Sequence, residues 1–342
     1  METRIDRRQV LQMLVMGAAA AGLGLGLPQG PRRHSWLLVT NSEGDDINVI
    51  DLDRLAVAGD WKVGEHPHGI AVPENSRVAY ATIETEKALK SLDAASGKVL
   101  STLSLQGRPN QCAVTPNGKF VAVPIRDGDS VVIVDGESMK ILKTLPVRMP
   151  HNCLNAGNNE HMFVTSLGGN QVNMIDLKTL EYIAEITVGG VPRPIAVDRE
   201  EKTLYVALSG FHGFVMVDIS SRKVVHRVEF PPLPPNTDLR PLLNTATHGL
   251  MLTPDGKELW AASVPTQSVY VYDVPSGKVA PAITVGQLPN WIAFSPDKRY
   301  GCVTNTGSND CSIVDRQNKK EVARIKVGKA PKRLVALSMP GA

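Results

Sequence analysis

Residues 37–51 have the sequence LLVTNSEGDDINVID, in which two short apolar segments are separated by a polar turn and the second segment ends in aspartate. The same arrangement recurs along the chain. The terminal aspartate returns as Asp51, Asp93, Asp135, Asp176, Asp218, Asp273 and Asp315. Successive spacings are 42, 42, 41, 42, 55 and 42 residues. Repeats of about 40 to 45 residues are typical of β-propellers, and seven of them fill residues 35–342.

Each repeat contains enough sequence for four short strands. A polar turn follows the aspartate, then an alternating segment, a proline with a small apolar run, and a second turn such as Thr115-Pro116-Asn117-Gly118-Lys119. The fold class predicted is therefore all-β, a seven-bladed β-propeller of four-stranded blades. The repeated aspartate is predicted to accept hydrogen bonds from backbone amides of its turn, which is a structural role.

The order of strands also predicts how the ring closes. The first repeat supplies three strands from residues 36–63, so its innermost strand must come from residues 332–337 near the C-terminus. Pairing of the N- and C-terminal strands removes the free sheet edges that an open stack of blades exposes.

The repeats resemble the YVTN-type propellers, whose blades contain Tyr-Val-Thr-Asn, Val-Gly and Pro-Asp-Gly-Lys segments. The resemblance extends over residues 35–339. It implies a seven-bladed propeller and no particular activity, because this fold carries unrelated functions. The matching segments are Val39-Thr40-Asn41, Phe163-Val164-Thr165, Val303-Thr304-Asn305, Val188-Gly189, Val327-Gly328 and Pro254-Asp255-Gly256-Lys257.

Composition excludes several classes of protein. The chain has 342 residues, 42% of them hydrophobic, which rules out disorder as its main state. With 37 Lys plus Arg against 34 Asp plus Glu, the net charge of +3 gives no reason to expect nucleic acid as a partner. Four cysteines without zinc-finger spacing indicate that any metal site is assembled from residues far apart in sequence.

Residues 1–34 are predicted to be an export signal and linker that precede the propeller. Arg4, Arg7 and Arg8 come before an uncharged apolar run, Val10 to Leu27. The stretch from Arg7 to Leu11 resembles the twin-arginine export signal, which implies a periplasmic or otherwise extracytoplasmic protein. A short buried helix is the structural alternative. An uncleaved signal is the only predicted membrane attachment.

The residue after the repeat proline enters the innermost strand at the channel mouth, on the face opposite the aspartate turns. All seven residues at this position are polar. His248 keeps its place although Thr247 replaces the proline before it. They are His68, Asn110, His151, Arg193, His248, Asn290 and Lys332.

His68, His151 and His248 come from every second repeat and are the candidate metal ligands. Imidazoles from separate strands suit zinc, copper or iron, and three protein ligands with one open position is a catalytic pattern. A haem is less favoured, because the haem domains of dissimilatory nitrite reductases have eight blades. The alternative is a solvated polar pore without metal. The remaining residues of the set, Asn110, Arg193, Asn290 and Lys332, favour a small polar or anionic ligand.

The one long spacing places an insertion, residues 230–247, directly before His248. It contains five prolines, and its Asp238 and Arg240 are candidate ligand-binding residues. The segment is either a lid or docking surface or a tolerated surface insertion. Four other polar residues of the same face are expected farther from the axis: Glu84, Arg126, His212 and Asn309.

Two functions of different classes follow. The first is an exported propeller that binds a metal, a metallocofactor or a small anionic ligand at the channel mouth and acts as a lyase, lactonase or oxidoreductase. Propeller lactonases and muconate-cyclising enzymes, which use His and Arg there, are looser resemblances. The alternative is a non-enzymatic scaffold that docks another exported protein through its top loops and residues 230–247.

The export signal gives a first prediction. Replacing Arg7 and Arg8 together by lysine is expected to leave the protein in the cytoplasm, because the twin-arginine receptor recognises guanidinium groups and not charge alone. Fractionation of the native host followed by immunoblotting measures this. The control is the same double substitution at Arg32 and Arg33, which lies after the apolar run. Normal export of the Arg7/Arg8 variant assigns the protein to the general secretory route.

Overall fold

A computed structural model describes residues 33–239 and 244–340. The remaining residues, with nearly all of the predicted export signal and with Arg240, lie outside the described part. One compact unit comprises His34–Met339. The second unit, Met1–Arg33 and Pro340–Ala342, has only strand-end residues within the described part. The described residues include no helix long and apolar enough to cross a membrane.

Seven antiparallel sheets make up the described chain, as the repeats predict. Blade 1 contains β1 (Arg33–Asn41), β2 (Asp46–Asp51) and β3 (Ala56–Lys62). Blade 2 contains β4 (Pro67–Ala71), β5 (Val78–Ile83), β6 (Ala88–Asp93) and β7 (Val99–Ser104). Blade 3 contains β8 (Ala113–Val114), β9 (Phe120–Ile125), β10 (Ser130–Asp135) and β11 (Lys140–Pro146). Blade 4 contains β12 (Pro150–Leu154), β13 (His161–Ser166), β14 (Gln171–Asp176) and β15 (Glu181–Thr187).

The second half of the chain continues the pattern. Blade 5 contains β16 (Pro192–Val197), β17 (Thr203–Leu208), β18 (Gly213–Asp218) and β19 (Lys223–Glu229). Blade 6 contains β20 (Thr247–Leu252), β21 (Glu258–Ser263), β22 (Ser268–Asp273) and an outer strand in two pieces, β23 (Lys278–Val279) and β24 (Ile283–Thr284). Blade 7 contains β25 (Pro289–Phe294), β26 (Tyr300–Asn305), β27 (Asp310–Asp315) and β28 (Lys320–Lys326). The last strand is β29 (Pro331–Pro340).

Strand β29 is the innermost strand of blade 1 and pairs with β1, which confirms the predicted ring closure. Two further contacts fix the junction: the Arg333 amide donates to Thr40 Oγ1 at 3.1 Å, and the Ser42 amide donates to the Ala330 carbonyl at 3.1 Å. The two ends of the propeller therefore belong to one sheet.

The hydrophobic core consists of layers between neighbouring blades. Successive residues of a strand point to opposite faces of its sheet. On β1, Leu37 accordingly packs in a cluster with Trp291 of blade 7, whereas Leu38 packs in a cluster with Ile70 of blade 2. Both leucines are fully buried. Alternation along each strand thus supplies apolar side chains to two interfaces at once.

The predicted structural role of the repeated aspartates is confirmed. In each blade the aspartate Oδ1 accepts a hydrogen bond from the backbone amide three residues later, for example from Ser96 to Asp93 at 2.8 Å. These turns lie on the face opposite the channel mouth that carries the polar residues.

Closure gives a second prediction. Deletion of residues 331–342 is expected to destabilise the propeller by most of the 5–15 kcal/mol typical of a domain, because it removes an inner strand with the buried Leu334 and Leu337 and reopens the ring. Urea unfolding followed by circular dichroism measures the loss. Deletion of residues 341–342 is the control. A shortened protein that unfolds at the same urea concentration as the full chain contradicts the prediction.

Candidate functional site

A β-bulge follows the repeat proline on most inner strands. On β4 the register shifts by one residue between Pro67 and Ile70, so that His68 and Gly69 together lie opposite Thr82. The same shift occurs at the start of β12, β16, β20 and β25. Bulges re-aim side chains next to functional sites. At the bulge, side chains of successive residues therefore no longer point to opposite faces of the sheet in regular alternation.

A threonine hydroxyl occupies this bulge in several blades and joins it to the next blade. Thr82 Oγ1 accepts from the Gly69 amide at 2.7 Å and donates to the Asn110 carbonyl at 2.7 Å. Gly69 is required there, because a Cβ would lie 2.7 Å from the amide nitrogen of Cys112. Thr40 Oγ1 likewise accepts from the Arg333 amide and donates to the His68 carbonyl. Thr304 Oγ1 accepts from the Trp291 amide and donates to the Lys332 carbonyl.

The bulges bring the predicted residues of the top face to one cavity of about 310 Å³ at the channel mouth. Six of the seven predicted positions line it: His68, Asn110, His151, Arg193, His248 and Lys332. The seventh, Asn290, lies beside them. Its Oδ1 accepts from Arg333 Nη1 at 3.0 Å, and its carbonyl bonds His248 Nδ1 at 3.1 Å.

Two of the three histidines are held through their Nδ1 atoms. His68 Nδ1 is hydrogen-bonded to Glu84, and His248 Nδ1 donates to the Asn290 carbonyl. A histidine held in this way keeps Nε2 for another partner. His151 Nδ1 is buried and has no hydrogen-bond partner within the described residues. The rings of His151 and His248 meet edge to face, with centroids 6.4 Å apart.

Burial keeps all three imidazoles neutral. It lowers the pKa of His68 to about 4, although the bond to Glu84 acts in the opposite direction. Burial, followed by the positive charge of Arg333, lowers the pKa of His151 and of His248 well below the usual value. At neutral pH the positive charge of the site therefore comes from arginine and lysine alone.

Arg333, which the sequence analysis did not single out, lies at the floor of this cavity. Its side chain is 2% exposed, and its guanidinium stacks on Trp291 with the central carbon 3.8 Å from the ring centroid. Nη1 bonds Asn290, while Nε and Nη2 are buried without a partner in the described part of the chain. Burial lowers the pKa of Arg333 to about 9, so the group remains protonated at neutral pH.

The signal for Arg333 was present in the sequence. It stands two residues after the repeat proline, where regular alternation puts a core side chain, yet Gln111 and Asn152 hold the same position. All three are buried, and Gln111 donates to the Cys153 carbonyl at 3.0 Å. Polar residues at an expected core position indicate that the alternation is broken there.

Two of the four outer residues reach the site. Arg126 lines the cavity, and Glu84 contacts His68. Both residues directly follow the second strand of their blade, β9 and β5 respectively. His212 bonds Pro231 and Ser263. Asn309 Oδ1 accepts from the Ala330 amide at 2.8 Å, so the last two residues support loops.

The insertion is described except for residues 240–243. Asp238 is not among the residues that line the cavity, and Arg240 lies outside the described residues. A ligand-binding or docking role for this segment stays a prediction.

The three channel histidines are not gathered tightly enough to form a ready metal site. Among described residues, the one group of three potential ligands whose atoms all lie within 4.8 Å is His34, Asp51 and Asp53. That group lies at strand ends outside the channel and includes an exposed carboxylate. Metal binding by His68, His151 and His248 stays a prediction.

A family model described as YNCE-like beta-propeller matches residues 35–237. A search of curated protein sequences found no relative.

Solved structures show the same fold at low sequence identity. A dihydro-heme d1 dehydrogenase, NirN, in complex with DHE has a TM-score of 0.64 and 14% identity over 88% of this chain, which spans 66% of the NirN chain. A Kuenenia stuttgartiensis hydrazine synthase has a TM-score of 0.69 and 15% identity, covering 86% of this chain and 99% of that one. A protein of unknown function from Desulfotomaculum acetoxidans DSM 771 has a TM-score of 0.74 and 13% identity, covering 88% and 98%.

The lowered histidine pKa values give a third prediction. The pKa of His68 is 6.5 in the unfolded chain and about 4 in the folded protein, so between these pH values the unfolded chain is protonated at His68 and the folded protein is not. The free energy of unfolding therefore falls as the pH falls through this window. Each unit of pKa difference corresponds to about 1.4 kcal/mol. Urea unfolding at several pH values is expected to show that the free energy of unfolding falls less steeply with falling pH in the His68→Gln variant than in the parent protein.

The control is His226→Gln, which changes an exposed histidine of an outer strand. Equal slopes for the His68→Gln variant and the parent contradict the assignment of a neutral, buried His68.

Proposed function

Since this chain belongs to the YNCE-like β-propeller family, whose blades build a central channel, we propose that it binds a small anionic ligand at the top-face mouth of that channel. The observation that supports this most directly is Arg333, a buried guanidinium with two nitrogens that lack a partner within the described residues. A buried charge is costly unless it is paired and hydrogen-bonded. An anion in the adjoining cavity supplies the missing partner.

The rest of the lining supports the same ligand class. Arg126, Arg193 and Lys332 add positive charge, and none of the described lining residues is acidic. Arg193 is held by a bond of 2.9 Å from its Nε to Ser209 Oγ. Converging cations with few competing carboxylates favour an anion over a cation. The volume is near the lower end of the range for small-molecule sites, so the ligand proposed is small.

The neutral histidines are proposed to give the ligand its orientation. Their Nε2 atoms can accept a hydrogen bond, which suits a hydroxyl or another proton-bearing group on the anion. NirN, a structural neighbour, is solved in complex with DHE. That complex supports, as an analogy of fold only, the proposal that a propeller of this shape holds a ligand.

A transition metal is the second candidate, favoured by the bonds that Glu84 and the Asn290 carbonyl make to Nδ1 of His68 and His248. Metal-binding histidines commonly have such a partner on the other nitrogen. Zinc, copper or iron held by the Nε2 atoms of these histidines would supply a Lewis acid at the channel mouth. His151 has to approach the other two rings for all three to share one ion.

We propose an extracytoplasmic location for this activity, from the arginine pair and apolar run of residues 1–34. The substitution of Arg7 and Arg8 described above tests that proposal independently of ligand binding.

The fourth prediction tests anion binding. Titration with acetate, succinate, citrate, phosphate and sulfate is expected to change the tryptophan fluorescence, because Trp291 stacks on Arg333. Replacing Lys332 or Arg193 by glutamine is expected to raise the dissociation constant of the tightest-binding anion by about tenfold to a hundredfold, the range for hydrogen bonds to charged groups. Isothermal titration calorimetry gives the dissociation constants.

Lys278→Gln is the matched control, since it removes the same charge from an exposed outer strand of blade 6. No binding of any anion, or equal affinities in the three variants and the parent, overturns the proposal. Metal analysis of the same preparations discriminates the second candidate. A stoichiometric metal that is lost in a His68/His151/His248 triple alanine variant puts the metal site first.

A further inference from the structure

We propose that the ligand is an amphipathic monocarboxylic acid, with its carboxylate on the Nε–Nη2 edge of Arg333 and its apolar part on Met149, Pro150 and Leu167. This inference rests on the proposed anion site and names the class of anion. It joins two independent observations, the orientation of Arg333 and an apolar wall across the same cavity.

Arg333 is fixed in a way that leaves one edge of its guanidinium without a partner among the residues that the structure describes. Nη1 donates to Asn290 Oδ1 at 3.0 Å, and the guanidinium plane stacks on Trp291. The nitrogens left over, Nε and Nη2, are adjacent and donate in parallel, which is the geometry that holds both oxygens of a carboxylate. A lysine at this place would offer a point charge without that planar match.

The opposite wall of the cavity is apolar. Met149, Pro150 and Leu167 line it, and Met149 is 58% exposed at the mouth. Met149 has a φ of +48°, a conformation that the repeat also places before its proline at His66, Leu288 and Ala330. Such a conformation costs of the order of 1–3 kcal/mol and persists where the surroundings fix it. Its amide donates to Asp129 Oδ1 at 2.7 Å, which holds the residue in this conformation at the opening.

Together these features favour a ligand with one charged end and one apolar end. A doubly charged phosphate or sulfate needs polar partners on all sides, and the Met149–Leu167 wall offers none. An exposed methionine beside a charged cavity supplies adaptable apolar contact. The small volume restricts the apolar part to a short chain or a single ring.

Entry of the carboxylate requires a small rearrangement, because Nε and Nη2 of Arg333 are buried. We assign this movement to the His151 side chain. The charge of Arg333 is the strongest charge acting on it, and its Nδ1 has no hydrogen-bond partner among the described residues.

The fifth prediction uses a homologous series as the probe. Affinity measured by calorimetry is expected to rise from acetate to butyrate to hexanoate, by up to about fourfold for each buried CH₂. Phosphate and hexan-1-ol, which each lack one of the two features, are expected to bind at least tenfold more weakly than hexanoate. The Arg333→Lys variant keeps the positive charge but loses the planar pair of donors, so its affinity for hexanoate is expected to fall about tenfold.

Met149→Ser tests the apolar wall without touching the buried arginine. It is expected to reduce the gain in affinity along the series, so that binding of hexanoate weakens more than binding of acetate. Leu288→Ser is the matched control, because Leu288 also precedes a repeat proline with a φ of +50° and is exposed but does not line the cavity. If the affinities are equal along the series, or if phosphate binds more tightly than hexanoate, the proposal of a carboxylic acid ligand is overturned, whereas the proposal of an anion site is not. Absence of any anion binding overturns both.

Discussion

The site depends on one hydrogen-bonding unit, the threonine hydroxyl that fills the bulge at the start of an inner strand. The bulge removes a backbone amide from the sheet ladder, and a buried amide without a partner is costly. Thr40, Thr82 and Thr304 accept that amide and donate to the carbonyl of the residue after the repeat proline in the neighbouring blade. The same atom therefore stabilises the irregular backbone and sets the position of the neighbouring blade's site residue.

This unit explains why the functional residues lie where they do. In a regular strand, successive side chains point to opposite faces. Lys332 and Arg333 are consecutive residues of β29, yet both line the cavity. The backbone repeats from blade to blade while the residue after the repeat proline changes, so the chemistry of the mouth varies while the ring is preserved. The apolar layers between blades, such as those around Leu37 and Leu38, are not involved.

The repeat of about 42 residues was sufficient to predict the propeller, its closure and the position of the polar residues at the channel mouth, because period and turn chemistry are local properties. Arg333 was not predicted, since strand alternation assigns its position to the core and the bulge is a property of two strands together. The contact of Glu84 with His68 was not predicted for a related reason: it depends on how the link after β5 packs against β4, which spacing does not encode. The meeting of Met149 with the cationic residues likewise depends on three-dimensional packing.

The electrostatics of the channel mouth then account for its unusual composition. Burial keeps His68, His151 and His248 neutral, and Arg333 retains its charge although burial opposes it. A cluster that served only to stabilise the ring would pair this guanidinium with a carboxylate. Glu84, the one carboxylate among the described residues whose charge acts on Arg333, is bonded to His68 instead. Local departures from the rules of polar satisfaction are expected at functional sites. The edge of Arg333 that lacks a partner among the described residues is such a departure, and the ring of threonine-bonded strands supplies the rigidity that tolerates it.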